Sequence, residues 1–346
     1  MDAELPSFLV RAGRAGDHRA LLRLARELDS INLPTEAKPL QDLLDCSVRS
    51  FRGRIRDHAR ARYVFCVEEI ATKRIVAASM IIAKHGTPEA PHYYLALDAD
   101  ERYSHSLRKM FRHQYLKLRY SMDGPTEVGG LIVDPALRGH PEHVGKQISW
   151  VRFLYLAMHP GRFERNVVAE MLAPMSPDHG NVFWDHYGRR MTGLSFREAD
   201  MLSTRDKEFI RTLFPETPLY TFLLPAEVRE SLGAVGDHTR GAVRLLEQAG
   251  MRFLEQIDPF DGGPYYGATI AELEPVKHHR AMTVEAGDPD PARLQSYLIA
   301  IENGDGFRAV RADAELHENG RVIVGASALK ALGIAPRSRV NVVGLP

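Results

Sequence analysis

The chain has 346 residues, of which 44% are hydrophobic and 26% charged, and its net charge is zero with the histidines neutral. These proportions are typical of a soluble globular protein with a substantial core, built as one large domain with an appendage or as two domains. The balance of charge argues against nucleic acid or an anionic membrane as a partner. Residues 1–4 are acidic, and no apolar run approaches the ~20 residues of a membrane-spanning helix, so we expect a cytoplasmic protein.

The first 82 residues predict a strand, two helices and a hairpin. Residues 8–12 are apolar enough for an opening strand, and Asp17 occupies the N-cap position of an amphipathic helix. A second helical pattern follows near residues 40–48. Residues 63–67 and 75–82 read as two buried strands joined by a turn. One of the two cysteines falls in the second helix and the other in the hairpin, and we expect both to be buried thiols of a reducing compartment.

Residues 84–125 are polar and rich in tyrosine, histidine and arginine. Their basic side chains allow two interpretations, a nucleic-acid surface or a solvated set of strands. The zero net charge of the chain favours the strands. The basic residues are His105, Arg108, Lys109, Arg112, His113, Lys117 and Arg119.

The stretch from Thr126 to Met191 organises the rest of the chain. A buried strand over residues 128–133 stops at Asp134-Pro135, because proline cannot donate to a sheet ladder. A basic loop follows, and from Gly145 the apolar spacing becomes helical until a Pro-Gly stop. A second strand over residues 167–171 leads to a short helix that ends at a glycine, after which we predict a strand at Arg189–Met191.

The loop over residues 136–146 lies between the carboxyl end of a strand and the amino end of a helix. Unpaired backbone N–H groups and the helix dipole favour an anion at such a point, so the loop is a candidate phosphate site. The alternative interpretation is an ordinary strand-to-helix connection. A Walker loop is excluded, because Gly139 to Lys146 is one residue too long and Gln147 follows in place of serine or threonine.

Beyond residue 200 the pattern predicts short helices near 208–214 and 226–232, with a strand at 218–224 between them. Residues 239–254 repeat the order of helix, glycine and strand predicted around Gly188, which suggests two related half-domains. Short strands and one small helix follow a proline-rich break at 288–291. We therefore predict a core over residues 1–200, a second half over 201–275 and a small β-rich appendage over 276–346, which carries no obvious chemistry.

Several of these runs together resemble the arginine N-succinyltransferase family, which belongs to the GCN5-related N-acyltransferases. The resemblance covers most of residues 7–275, with a looser match to the end. It implies a mixed α/β fold with a splayed central sheet and flanking helices. The matching runs are residues 131–135, 152–153, 167–171, 183–184, 196–200, 207–210, 218–220, 245–250 and 260–264.

The resemblance also implies an activity, transfer of the succinyl group of succinyl-CoA to the α-amino group of arginine or ornithine. It requires no metal and no permanently bound cofactor, because CoA enters as a co-substrate. The backbone of Leu131, Ile132 and Val133 is expected to bind the pantetheine arm, while their side chains pack in the core. Arg138, Gly145 and Lys146 are expected at the CoA diphosphate. Family members suggest a homo-oligomer.

Two residues are candidates for acid-base chemistry, His238 and Glu170. The family's proton-donor histidine corresponds in position to Gly236, and His238 follows two residues later. Glu170 ends a strand near the expected splay, where the alternative is a hydrogen-bonded structural carboxylate. Asp178 and His179 match an acidic residue and histidine of the family, displaced by one position.

Departures from the family leave the acceptor open. The family's arginine after the Ala-Glu-x run is Leu172 here, on the expected acceptor side. Three functions therefore stay in play: succinyl transfer to arginine or ornithine, transfer with another acyl group or amine, and acyl-CoA binding without catalysis. A metal site at His140-Pro141-Glu142-His143 is disfavoured, because Pro141 prevents the helical geometry that such histidine pairs use.

Overall fold

The computed structural model describes residues 6–27, 33–176, 180–203, 206–304 and 306–346. Its strands are β1 (Phe8–Ala12), β2 (Arg62–Glu69), β3 (Ile75–Ile82), β4 (His92–Ser104), β5 (Lys109–Ser121), β6 (Thr126–Val133), β7 (Asn166–Glu170), β8 (Leu219–Tyr220), β9 (Arg252–Ile257), β10 (Pro264–Thr269), β11 (Arg280–Ala286), β12 (Gln295–Asn303), β13 (Gly306–Leu316), β14 (Arg321–Val324) and β15 (Arg339–Gly344). Its helices are α1 (His18–Glu27), α2 (Ala37–Phe51), α3 (Val144–Met158), α4 (Val182–His186), α5 (Gly188–Thr192), α6 (Phe196–Ser203), α7 (Glu208–Leu213), α8 (Ala226–Ser231), α9 (Arg240–Gln248), α10 (Glu274–Lys277) and α11 (Ala326–Leu332).

The centre of the molecule is a sheet with the strand order β1-β2-β3-β6-β7-β10-β9. β6 and β7 run parallel, whereas the other neighbours in this part of the sheet are antiparallel. Leucines of α1 and α2 cover one face of β2 and β3, and α3 with α9 covers the other. The predicted mixed α/β architecture is confirmed, and α3 has hydrophobic neighbours on nearly all sides because it lies between the sheet and α9.

A long hairpin and a helical segment extend this sheet. β4 and β5 pair over thirteen residues each, and β4 joins β9 where Leu95 pairs with Ile257. The helices α4 to α8 pack on them through a second hydrophobic cluster that contains Phe183 and Trp184. The prediction of strands within residues 84–125 is thus confirmed.

The last five strands close into a small barrel. β12 pairs with β13 and β15, β11 pairs with β14 and β15, and β13 pairs with β14, so that the ring has no open edge. α11 lies against it, and its core is separate from that of the central sheet. β13 also pairs with β1, where Val10 lies opposite Ala309, so the barrel and the central sheet share a strand.

Three local predictions are wrong for identifiable reasons. Residues Arg189–Met191 are helical, because α5 begins directly at Gly188. The strand expected at 218–224 shrinks to β8, after which the chain turns. Asp17 does not cap α1, since its carboxylate instead accepts hydrogen bonds from the guanidinium of Arg11, at 2.7 and 2.8 Å, and from the backbone of Arg14 at 2.7 Å.

The division into domains stays a prediction, but the pairing bears on where it would fall. β9 and β10, from the predicted second half, pair with β4 and β7 inside the same sheet. Within the described part of residues 8–275 the predicted repeat of helix, glycine and strand is not found, because Gly188 begins a second helix, α5, whereas Gly250 leads into β9 as predicted. We therefore propose that residues 8–275 form one unit and the barrel another.

No helix in the described ranges is long and apolar enough to cross a membrane. Both cysteines are free, Cys66 fully buried in β2 and Cys46 half-buried in α2.

Candidate active site

The central strands β6 and β7 separate soon after they begin. Their ladder consists of two pairs, Thr126 with Val167 and Glu127 with Val168. β6 then stays with β3, and β7 stays with β10. In the described part of the chain, the later residues of β6 thus have no ladder partner on the β7 side, and a wedge-shaped opening results.

A bulge in β6 marks the point where the strands separate. Three residues of β3, from Ala78 to Met80, lie opposite four residues of β6, from Ile132 back to Gly129. Gly130 takes up the extra residue with a φ of +60°, a conformation that side chains with a Cβ rarely adopt. A bulge of this kind leaves the extra residue unpaired in the ladder, so its backbone groups are free for another partner.

The three strand residues predicted to line a CoA arm have buried or half-buried side chains. Ile132 packs with the leucines of α1 and α2, while Leu131 and Val133 pack on the α3 side. Their side chains are therefore part of the core. That their backbone groups bind the CoA arm stays a prediction.

The loop before α3 is held in place by hydrogen bonds at both ends. The Asp134 carboxylate accepts from the backbone N–H of Ala136 at 3.0 Å, which fixes the turn after β6. The Glu142 carboxylate accepts from the backbone N–H of Ser7 at 3.2 and 3.3 Å, and its carbonyl accepts from Gln147 at 2.8 Å. The N-terminus of α3, which begins at Val144, is thus presented beside the mouth of the opening.

The predicted diphosphate residues surround this helix start. Arg138 is exposed, and a Cβ at Gly145 would meet no atom within 4 Å, so the space beside Gly145 is open. Lys146 donates to the backbone carbonyl of Pro346 at 2.6 Å. The pKa of His143 is lowered, first by slight burial and then by the nearby charges of Lys146 and of Arg311 from the barrel strand β13.

On the α3 side of the opening lies a buried arginine. Arg152 is 2% exposed, and its Nη1 donates to the carbonyl of Gly129, at the bulge, over 3.4 Å. Its other hydrogen bonds go to the carbonyl and hydroxyl of Ser149, at 3.1 and 2.9 Å. None of the described carboxylates forms an ion pair with it. Burial alone lowers the pKa of Arg152, to about 9, because no acid stands close enough to raise it.

On the β7 side lies a group of buried carboxyls. Tyr265 of β10 stands opposite Glu170, and its hydroxyl lies 3.2 Å from the Glu170 Oε2 and 3.3 Å from the Asp258 Oδ2. Asp261 is adjacent, and its carboxylate accepts backbone N–H bonds from Ala173 and Gly263 at 2.9 and 2.7 Å. The Glu170, Asp258 and Asp261 carboxyls form no ion pair among the described residues.

These carboxyls differ in how well their charged forms are stabilised. Burial, and then the charges of Asp258 and Asp261, raise the pKa of Glu170 well above its usual range. Asp258 accepts two backbone N–H bonds, at 2.7 and 3.1 Å, and Asp261 also accepts two, whereas Glu170 has only the tyrosine hydroxyl. Backbone N–H donors favour the ionised form, so Glu170 takes up a proton first.

The second candidate, His238, lies in an exposed turn directly before α9. The turn is anchored near Glu170: the N–H of Gly236 and the hydroxyl of Thr239 reach the carbonyl of Leu172, at 3.0 and 3.5 Å. The structure therefore brings both acid-base candidates to the carboxyl end of β7. Gly236 occupies the position of the family's histidine. It packs against the chain after β7, where a Cβ added at Gly236 would lie 3.3 Å from the backbone oxygen of Ala173.

Other predicted features have ordinary roles or cannot be located. His140 packs edge-on against Phe8, with ring centroids 5.1 Å apart, and the Glu142 carboxylate accepts a hydrogen bond from the backbone of Ser7. Both side chains therefore make structural contacts rather than facing a common metal position. No group of three His, Cys, Asp or Glu side chains suited to a metal ion occurs among the residues described. Asp178 and His179 lie outside the described residues.

A cavity of about 860 Å³ adjoins the amino end of β7. Its walls include Val168, Gly267 and His92, whose ring contacts that of Tyr265 with centroids 4.9 Å apart. The basic loop and Arg152 are not among its lining residues. We therefore place the candidate site at the opening between β6 and β7, where the backbone, the loop and the buried charges meet.

Sequence reasoning missed Arg152, Asp258 and Tyr265 as site residues. Arg152 and Asp261 appeared only within family-matching runs, without a role. The available signal was the position of Arg152 in an apolar helix, where every near neighbour is hydrophobic or small. An arginine buried in such a helix needs a negative charge beside it, which comes either from an acidic residue or from a ligand.

Comparisons with known proteins find relatives over nearly the whole chain. Residues 8–275 match the family model described as arginine N-succinyltransferase beta subunit, and residues 280–344 match its C-terminal domain. An arginine N-succinyltransferase of Enterobacter sp. (strain 638) is 30% identical over 306 residues, 88% of each chain, and one of Citrobacter koseri is 29% identical over 98% of each chain. The solved arginine/ornithine succinyltransferase subunit AI from Pseudomonas aeruginosa superposes with a TM-score of 0.83 at 25% identity, covering 99% of both chains.

Proposed function

The chain belongs to the arginine N-succinyltransferase family and is an acyltransferase with the GCN5-related fold, and we propose that it succinylates the α-amino group of arginine or ornithine from succinyl-CoA. The observation that carries this proposal is the parting of β6 and β7, with the start of α3 at its mouth. The unpaired edge of β6 can bind the extended pantetheine arm of CoA. The start of α3 can bind the diphosphate at the far end of that arm.

CoA would bind through backbone and charge rather than through a deep pocket. The diphosphate is held where Arg138 and Lys146 flank the N–H groups at the start of α3, beside the open space at Gly145. The pantetheine arm then follows residues 131–133 of β6 in the manner of an added strand. The thioester reaches the bulge at Gly130, where backbone N–H groups that the bulge leaves out of the ladder can stabilise the oxyanion.

The reaction needs a neutral amine and a proton for the departing sulfur. The amine nitrogen attacks the thioester carbon, the carbonyl electrons move to oxygen, and their return breaks the carbon–sulfur bond. Glu170 is the candidate base for the ammonium group, once the charge of a bound cationic acceptor has favoured the ionised form of its carboxyl. His238, on the anchored turn beyond β7, is the candidate donor to the CoA thiolate.

The acceptor is inferred to be cationic from the charges on the β7 side. Glu170, Asp258 and Asp261 bury three carboxyls without an ion-pair partner in the described residues, and a cationic amino acid would supply the missing charge. Arginine and ornithine both satisfy this condition. Leu172, in place of the family's arginine, adjoins the same region and keeps the choice between them open.

Incubation with succinyl-CoA and a panel of amines, with free thiol as the readout, tests the proposal. Thiol release with arginine or ornithine alone is the expected result. Release with other acyl-CoA and amine pairs would favour a different acyltransferase specificity. CoA binding without release under any combination would overturn the enzyme assignment and leave an acyl-CoA binding protein.

We further propose that the protein acts in the cytoplasm as a homo-oligomer. The two free cysteines support a reducing compartment. An outer strand edge at β5, paired with β8 over only two residues, supports contact with another copy. Light scattering should give a mass well above the 38.8 kDa of one chain, and a monomer at working concentration would contradict the second part.

A further inference from the structure

Arg152 is a buried cation that no described acid neutralises, and its guanidinium also lies over the ring of Phe153, 5.7 Å from the centroid. It is 2% exposed, yet its three hydrogen bonds go to neutral groups, two on Ser149 and one on Gly129. An unpaired buried charge is costly to a fold and is tolerated where an anion completes it. Because Gly129 is at the bulge, this guanidinium lies where β6 and β7 separate.

The guanidinium retains donors for such an anion. Arginine has five N–H bonds in a planar fork, and three of them are used here, one from each nitrogen. One N–H therefore remains on Nη1 and one on Nη2. Two adjacent donors of this kind match the two oxygens of a carboxylate.

We infer that Arg152 binds the free carboxylate at the distal end of the acyl group, and so makes the site selective for dicarboxylic acyl-CoA donors. The inference rests on the proposed function, since it assumes that the thioester carbonyl lies at the Gly130 bulge. The two methylenes of a succinyl group place its carboxylate roughly 4 Å beyond that carbonyl carbon, three C–C bonds of about 1.5 Å each. Arg152 donates to the carbonyl of the preceding residue, Gly129, which puts its guanidinium beside the bulge at which the acyl group would lie.

A site of this type discriminates against any acyl donor that leaves the arginine charge unpaired. Butyryl-CoA has the same chain length as succinyl-CoA, with a methyl group in place of the carboxylate. It would leave the guanidinium buried and unneutralised, and sites built to hydrogen-bond a substrate group reject analogues that lack it. We expect the parent protein to prefer succinyl-CoA over butyryl-CoA by at least about a hundredfold in kcat/KM.

The test compares the two donors in Arg152→Met, Arg152→Lys and the parent. Arg152→Met should lose about a hundredfold or more in kcat/KM with succinyl-CoA and little with butyryl-CoA, so that the preference collapses. Arg152→Lys should retain part of it. Arg162→Met is a matched control, because Arg162 is half-buried beyond the far end of α3, where it donates to the Tyr155 hydroxyl at 2.8 Å. Its donor preference should be unchanged.

An unchanged preference in folded Arg152→Met, or an equal loss with both donors, would overturn the inference. Should Arg152→Met fail to fold, Arg152→Lys decides: a preference reduced about tenfold supports the inference, and a parental preference overturns it. Failure of the proposed function is distinguishable, because it appears as no thiol release from succinyl-CoA by the parent. In that event calorimetry decides, since the parent should still bind succinyl-CoA more tightly than butyryl-CoA and Arg152→Met should not.

Discussion

Two buried arginines in this molecule have opposite surroundings. Arg11 of β1 is 4% exposed and forms ion pairs with Asp17 and Glu68, both at 2.7 Å. Burial lowers the pKa of Arg11, but its two acidic partners raise it further, and the net effect is an increase. Arg152 is buried as deeply and has no acidic partner in the described residues, so its pKa falls.

The same contrast holds for the acids. Asp17 and Glu68 neutralise Arg11, and the three charges tie β1, β2 and the turn before α1 together. Glu170, Asp258 and Asp261 form no ion pair among the described residues, although the charge of Lys207 acts on Glu170 and Asp258. They lie on the β7 side of the opening, while Arg152 lies on the α3 side. Charges that the chain compensates hold the fold together, whereas those it leaves uncompensated are disposed around the place where substrates would bring the opposite charge.

The largest effect should come from the compensated region. Arg11→Met would leave Asp17 buried without an ion-pair partner and Glu68 with Lys73 alone, and we expect a loss of about 3–5 kcal/mol in the free energy of unfolding. Urea unfolding measures this, with Arg11→Lys as the milder control. Turnover per folded molecule in the cold should stay near that of the parent. A loss below about 1 kcal/mol would mean that the cluster is not the structural tie described here.

A second effect separates the acid-base candidates. Glu170→Gln should lower kcat by roughly a hundredfold or more if Glu170 accepts the amine proton, with little loss of stability because the amide is neutral and has the same shape as the protonated carboxyl. His238→Ala should lower kcat to a similar extent if His238 protonates the thiolate, and should leave CoA affinity alone. Profiles of kcat against pH, with thermal melts, measure both. Parental profiles in both variants would leave substrate positioning and the backbone oxyanion site as the mechanism.

A third prediction tests the loop. Gly145→Glu should weaken CoA binding about tenfold or more, because the new side chain fills the open space and repels the diphosphate. Gly161→Glu is the control, since a side chain at Gly161, beyond the other end of α3, also meets no atom within 4 Å. Calorimetry with CoA measures both variants. Equal affinities for the two folded variants would remove the diphosphate from this loop.

The smallest expected effect is in stability against pH. The pKa of Glu170 is raised in the folded state, so the folded chain holds a proton that the unfolded chain releases above pH about 4.5. Stability should therefore fall as pH rises from about 4.5 through neutrality, by at most ~1.4 kcal/mol per pH unit for one proton. Melting curves of the parent and Glu170→Gln measure this, and the variant should show the shallower decline. Parallel curves would show that Glu170 is not the group that takes up the proton.

Much of the fold was predictable because it depends on patterns along the chain. The break at Asp134-Pro135, the helix from near Gly145 and the small helix α11 all follow from local spacing, and the structure has them. Asp17 was assigned a local capping role, which is wrong because Arg11 and the backbone of Arg14 take its carboxylate.

The candidate site was predictable only on its exposed side. A basic loop between a strand and a helix is visible in the sequence, but the state of a buried charge depends on what other strands place beside it. The approach of Asp258 and Tyr265 to Glu170 depends on β10 pairing with β7, across about ninety residues of chain. That no acid in the described ranges lies beside Arg152 is likewise a property of packing, which sequence order does not encode locally.

The strand shared by the barrel and the central sheet has a consequence for synthesis. Val10 pairs with Ala309, so the first strand obtains its outer neighbour only when nearly all of the chain has been made. Until then β1 can pair with β2 but presents an open edge. Contacts so distant along the chain form slowly. We expect the nascent protein to pass through a stage in which the acyltransferase unit has folded but β1 is not yet paired with β13. At that stage the open edge of β1 is the point most exposed to aggregation.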